Sequence, residues 1–280
     1  MKQLVILLFA TSLIFLGGCA NKAIYRSEWQ SPQLKVGEFN DHWHAPLQYN
    51  SKAQMLYGIS NDNQNLYVAL QITDKTVQRK ILLAGLTFWL DTTAKGKEQL
   101  GLNFPVQKSS RMNRGKTKGQ QRNDQKLTKA EIKKFNDKYL NGMSEILVIG
   151  YDGETESRLG ANKNAKGINA ILRLDSLQVL YYEVQIPLQM IFDQPDAFLN
   201  DSTKYFSYAF ETGHFEMPLQ ASGGMKSKGG GQGGGGGRGG GGRSGGQSSD
   251  MNSEMKQEML QMSQPSKFQV KKASLSNTFN

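Results

Sequence analysis

The chain has 280 residues, with 34 Lys and Arg against 24 Asp and Glu, a formal net charge of +10. A single cysteine excludes an internal disulfide framework and any multi-cysteine metal site. A hydrophobic fraction of 38% is low for a chain packed throughout, so part of it is expected to lie outside any core.

The chain opens with Lys2 and an almost unbroken apolar run over residues 4–16. That run is shorter than the roughly 20 residues that span a bilayer, and it has the length of a signal-peptide core. It ends in Leu16-Gly17-Gly18-Cys19, which resembles the lipobox of bacterial lipoproteins. The resemblance implies a signal peptide over residues 1–18 and a lipid-bearing first mature residue at Cys19. Residues 19–33 then read as a lipidated tether. Ala20 stands where an inner-membrane retention aspartate would be, which points to the outer membrane of the cell envelope.

The main body, residues 34–222, reads as strands. Met55, Tyr57 and Ile59 alternate, and so do Leu66, Val68, Leu70 and Ile72, with Asn61-Asp62-Asn63-Gln64-Asn65 between them as a hairpin turn. Leu86, Phe88 and Leu90 share a strand face, followed by Leu100, Leu102 and Phe104. Further strands are predicted over 145–149, 168–174, 180–186 and 205–210. Nine or ten short strands with few helices predict an all-β, antiparallel sandwich of jelly-roll type.

Charge is not spread evenly over this body. Residues 107–138 hold eleven Lys and Arg against Asp124, Glu131 and Asp137. Within this 107–142 insertion, Thr128-Lys129-Ala130-Glu131 is a capping box, and Ile132, Phe135 and Tyr139 fall on one helical face. A basic loop followed by a short helix is expected. Residues 223–250 form a glycine-rich, flexible insertion; between 223 and 246, 16 of 24 residues are glycine. Its arginines among glycines look like RNA-binding repeats. An exported protein meets little RNA, so nucleic acid drops out as a partner. Residues 251–280 supply a short Met-rich segment, then Phe268 and Val270 of a last strand. The glycine tract therefore interrupts one domain rather than joining two.

The order of several peptides in the body carries a resemblance. Val36-Gly37-Glu38-Phe39-Asn40-Asp41-His42-Trp43 is followed by Ser60-Asn61-Asp62-Asn63-Gln64-Asn65-Leu66-Tyr67-Val68-Ala69-Leu70. Then come Asp74, Gly85-Leu86-Thr87-Phe88-Trp89-Leu90-Asp91 and Gly101-Leu102-Asn103-Phe104-Pro105. The series resembles family 9 carbohydrate-binding-module-like domains, which belong with the DOMON-like β-sandwiches. Members usually open with Asp-Gly, where this chain has Val36-Gly37. The resemblance implies a sandwich that clamps sugar between aromatic rings, often with structural calcium.

Sugar recognition needs flat apolar rings for pyranose C–H faces, with amides or carboxylates for the hydroxyls. Strand phase turns Tyr67, Trp89 and Tyr181 away from the core, and the three are expected to line one sheet face. Either that face is open, or the helix at 128–140 or a loop covers it. Trp29 and Trp43 belong to the N-terminal loops, with Trp43 a further ligand candidate. Asp62, Asp74 and Asp91 are the candidate calcium ligands. His42 and His44, beside Asp41, form a weaker metal pair. Gly115-Lys116-Thr117 resembles a phosphate loop but has Ser110 where that loop requires glycine. With no serine-hydrolase or zinc-protease motif either, a non-catalytic protein is expected. Three functions stay open: an anchored carbohydrate-binding module, a structural lipoprotein contacting an envelope protein or anionic lipid, and a haem binder using His42, His44, His214 or methionines.

Overall fold

The structure, a computed structural model, describes residues 24–106, 128–161, 164–214, 260, 263–268 and 271–277. The predicted signal peptide, Cys19, the basic loop and the glycine-rich tract lie outside the described residues.

The described strands, in chain order, are β1 (Tyr25–Arg26), β2 (Glu28–Trp29), β3 (Gln48–Asn50), β4 (Met55–Asn61), β5 (Asn65–Ile72), β6 (Leu86–Asp91) and β7 (Leu100–Phe104). They continue with β8 (Glu145–Ile149), β9 (Glu156–Gly160), β10 (Asn169–Leu174), β11 (Leu180–Pro187), β12 (Phe206–Thr212), β13 (Ser266–Lys267) and β14 (Lys271–Ser274). Eight form one sheet in the order β1-β14-β12-β6-β7-β8-β9, with β13 also on β12. Six form the other, β10-β11-β5-β4-β2, with β3 also on β4. The two sheets stack as a β-sandwich. Its inner faces are the alternating apolar sets, so Ile59, Val68, Phe88, Leu102, Val184 and Phe206 are fully buried in one core.

Most pairings are antiparallel, as expected, but β1 on β14 and β2 on β4 are parallel. Residues 24–29 pass from one sheet to the other and close the edge of the sandwich. The Tyr25 hydroxyl donates to the Ile59 carbonyl at 3.0 Å and accepts from its amide at 3.0 Å. Ser27 Oγ bridges Asn61 and the Ser274 carbonyl. Residues 24–33 are therefore part of the fold, which corrects the reading of 19–33 as a tether throughout. Burial lifts the Tyr25 phenol to about 12, as an ionised oxygen would be stranded among Tyr57 and Tyr208.

Among the described residues, four short α-helices with both ends described accompany the sheets: α1 (Phe39–His42), α2 (Lys75–Ala84), α3 (Lys129–Phe135) and α4 (Pro195–Leu199). α2 crosses from β5 to β6 at one end of the sandwich. Asp74 caps it by accepting from the Val77 amide at 2.8 Å, and Gly85 ends it at φ +81°. Sequence reading passed over α2, although this cap pair marks it. α3 has the predicted capping box. A π-helical turn over Asn136–Leu140 then adds a residue to the helical repeat, so Leu140 is buried where Tyr139 was expected, and Tyr139 is 52% exposed. Asn136 fastens this helix to β10, donating to the Leu174 carbonyl at 2.8 Å and accepting from its amide at 2.9 Å.

Candidate functional site

The outer face of the six-stranded sheet is covered, but not by α3. Residues 34–47 lie across it, with Leu34, Phe39, Trp43 and Leu47 packed on Tyr67 and Ala69 as a second small core. Two features hold this layer down. Gly37 sits at φ +101°, which side chains disfavour, and its amide donates to Glu183 Oε2 at 2.6 Å. Arg173 donates to the Gly37 carbonyl at 2.7 Å and pairs with the buried Glu183 Oε1 at 3.2 Å. Gly58 provides the second, since a Cβ there would stand 2.7 Å from the Trp43 ring and 2.8 Å from Leu47.

This layer stops short of the Tyr181 side of the sheet and leaves a groove of about 350 Å³. Trp43 and Leu47 form one side, Tyr181 the other, and Ala69 lies in its floor. Gln71 and Glu183 bring polar atoms to it. Trp43 stacks on Phe39 at 5.6 Å between centroids, and its indole N–H is buried with no acceptor among the described residues. Tyr181 is half-buried; its hydroxyl donates to Asp175 Oδ2 at 3.1 Å and the Arg173 guanidinium lies 5.8 Å from its ring centre. Two rings braced from behind, an amide and a carboxylate thus border one open groove. Its volume is at the lower end of the range for small-molecule sites, roughly 300–1,000 Å³.

The predicted platform is corrected in two ways. Tyr67 does face away from the main core, yet it is fully buried beneath Phe39, 5.8 Å away edge-on, and donates to Asp62 Oδ2 at 2.6 Å. Burial first, and then the Asp62 carboxylate, push its phenol well above the ordinary range. Trp89 belongs to β6, in the other sheet, so it lies on the opposite outer surface from Tyr67 and Tyr181. Its ring covers Gly101, its N–H donates to Glu211 Oε2 at 2.8 Å, and the space beside it is only about 10 Å³. That is room for one water at most. Trp43 and Tyr181 are the candidates that share a groove.

Nor are the three aspartates brought together. Asp62 is at one end of β5 and Asp74 at the other. Asp62 Oδ1 takes the amides of Gln64 and Asn65 at 2.7 and 2.6 Å. Asp91 shapes the turn after β6, accepting from the amides of Thr93, Lys95 and Lys97 at 2.8, 2.9 and 2.8 Å and from the Thr93 hydroxyl at 2.6 Å. Burial alone would raise its carboxyl; these donors outweigh that and hold it at about 2. Their oxygens serve turns and a helix cap, and no group of three His, Cys, Asp or Glu fit to hold a metal occurs among the described residues. His42 and His44 are exposed on the covering layer, and His214 is exposed beyond β12.

A second cavity of about 510 Å³ lies by α2, between Lys52, Asp74 and Lys80 on one side and Thr212 and Ser266 on the other. Lys80 donates there to Ser266 Oγ at 2.8 Å and to the Gln264 carbonyl, and burial lowers its pKa. It staples the returning chain to the sandwich, and sequence reading did not single it out.

No protein-family model and no curated protein matches the sequence. Among solved structures, the chain is similar to a family 9 carbohydrate-binding module from Caldicellulosiruptor kristjanssonii in complex with glucose. Identity is 10%, over 68% of this chain and 75% of that one, with a TM-score of 0.24.

Proposed function

We propose that this protein is a non-catalytic binding module for carbohydrate, held at the cell envelope, on the outer membrane, by acyl chains on Cys19. The groove between Trp43 and Tyr181 carries the reading. A pyranose has two apolar C–H faces and a rim of hydroxyls, so it fits between aromatic rings with an amide and a carboxylate nearby. Gln71 is the first candidate for the hydroxyls, because Glu183 is already engaged by Gly37 and Arg173. The rings are positioned before ligand arrives, which lowers the ordering cost of binding.

A glycan array probed with the purified protein, followed by titration of the retained glycan, tests this. Trp43→Ala or Tyr181→Ala is expected to weaken binding by about tenfold each, as removal of one stacking ring costs on the order of 1 kcal/mol or more. Trp89→Ala, on the other sheet, is expected to leave affinity unchanged. Retention of no glycan, or equal affinity in both groove variants, would overturn the proposal.

A further inference from the structure

The groove is one part of a longer row of side chains. Residues paired across neighbouring strands share a face of their sheet. In the six-stranded sheet the register sets Tyr49 of β3 opposite Leu56 of β4, and Leu56 opposite Gln71 of β5. Gln71 in turn stands opposite Tyr181 of β11, and Tyr181 opposite Arg173 of β10. The flanking residues of β4, β5, β11 and β10 turn the other way: Met55 and Tyr57, Leu70 and Ile72, Leu180 and Tyr182, and Leu172 and Leu174 are all in the main core. On β3, Gln48 also points inward, where its Oε1 accepts from the Tyr57 hydroxyl at 2.8 Å. The five residues of the row therefore lie on the outer face, across the strands.

The covering layer stops one row away. Trp43 and Leu47 sit over Gly58, which pairs with Ala69, which pairs with Glu183. The next row, from Tyr49 to Tyr181, runs along the edge of the layer. Leu56, Gln71 and Tyr181 are half-buried there, and Tyr49 is 65% exposed. Tyr49 and Tyr181 are three strand spacings apart, roughly 14 Å. An exposed ring taken singly is ordinary on a protein surface; a ring in register with a groove is the observation that counts.

We propose that this row is an extended track for four consecutive sugars of a β-1,4-linked chain, with Tyr49 as a further stacking ring beyond the groove. The inference rests on the reading of the groove as a carbohydrate site. A β-1,4-linked pyranose chain is a flat, extended ribbon whose rise per sugar is close to the strand spacing of about 4.8 Å. Successive sugars then lie over β3, β4, β5 and β11. The end sugars stack on Tyr49 and Tyr181, while Leu56 meets a C–H face and Gln71 a hydroxyl. An α-1,4-linked chain coils and leaves the row after the first rings. Each added sugar binds from a chain already held, so affinity climbs with length until the track is full.

Titration of the full chain with β-1,4-linked glucose, xylose and N-acetylglucosamine oligosaccharides of one to five residues tests this, with α-1,4-linked glucose oligosaccharides as the contrast. For at least one β-1,4 series, affinity is expected to rise up to four residues and to gain nothing from the fifth. Tyr49→Ala is expected to weaken tetrasaccharide binding by about tenfold and to leave the disaccharide unchanged. Tyr49→Phe, which keeps the ring, should bind as the parent does, and Trp43→Ala should lose affinity at every length. A plateau at two residues, an unchanged tetrasaccharide affinity in Tyr49→Ala, or equal binding of the α-1,4 series overturns the track while the effect of Trp43→Ala keeps the groove reading standing. Binding to none of these series also overturns the track, and a glycan array that retains nothing takes the groove reading with it.

Discussion

Two glycines each lie under a tryptophan, one on either outer surface, and they separate stability from binding. A Cβ at Gly58 would meet Trp43 at 2.7 Å, and one at Gly101 would meet Trp89 at 2.6 Å. Each indole would have to shift to admit the methyl group, so Gly58→Ala and Gly101→Ala should each cost about 1–3 kcal/mol in urea unfolding. Gly58→Ala should also displace Trp43 and weaken glycan binding, whereas Gly101→Ala should leave it alone. Asp91 gives a pH signature. Its folded-state pKa of about 2 lies below the ordinary 3.8, so its stabilisation is present above pH 4 and lost as pH falls through the folded value. Asp91→Asn should therefore lower stability by about 2 kcal/mol at neutral pH, with the gap to the parent closing between about pH 4 and pH 2. A gap independent of pH would show that the carboxylate charge does not hold the turn. Individual roles such as these were poorly legible in the sequence. Asp62 was legible as part of the hairpin turn, but the helix cap at Asp74 and the turn built on Asp91 show only in the amides that surround them.

Among the elements, strands with a clean period of two were read almost to the residue, because a one-residue slip would turn Leu66, Val68, Leu70 and Ile72 out of the core. β9 was missed, since Glu-Ser-Arg-Leu-Gly at a sheet edge has one flank unpaired and little apolar alternation. β1 and β2 were missed because two-residue strands carry no period at all. The phase of β5, β6 and β11 correctly turned Tyr67, Trp89 and Tyr181 outward, but phase says nothing about which sheet a strand joins. α3 depends on Asn136, whose side chain replaces two strand hydrogen bonds at the end of β10. Asn136→Ala leaves the Leu174 amide and carbonyl without those partners, a loss of about 2 kcal/mol. Hydrogen exchange over 128–140 should accelerate in that variant while β4 and β5 stay protected. If exchange rises equally everywhere, the helix is no separate unit.

For the whole molecule, the +10 charge belongs to two stretches, residues 107–138 and 221–246, rather than to the folded body at large. The C-terminal return is integral, as β14 joins β12 to β1 and Ala273 is fully buried. Excising residues 223–246 should shift stability by less than about 1 kcal/mol, because closure entropy changes by only about 0.6 kcal/mol per halving of a loop. Removing 271–280 should abolish cooperative unfolding altogether. The central claim remains the groove, and the three tryptophans make it directly readable. In 5-fluorotryptophan-labelled protein, Trp29, Trp43 and Trp89 give separate fluorine resonances, assigned by single substitution. Titration with a glycan retained on the array should move the Trp43 resonance and leave Trp29 and Trp89 in place. Movement of Trp89 instead, or of none of the three, would contradict the account.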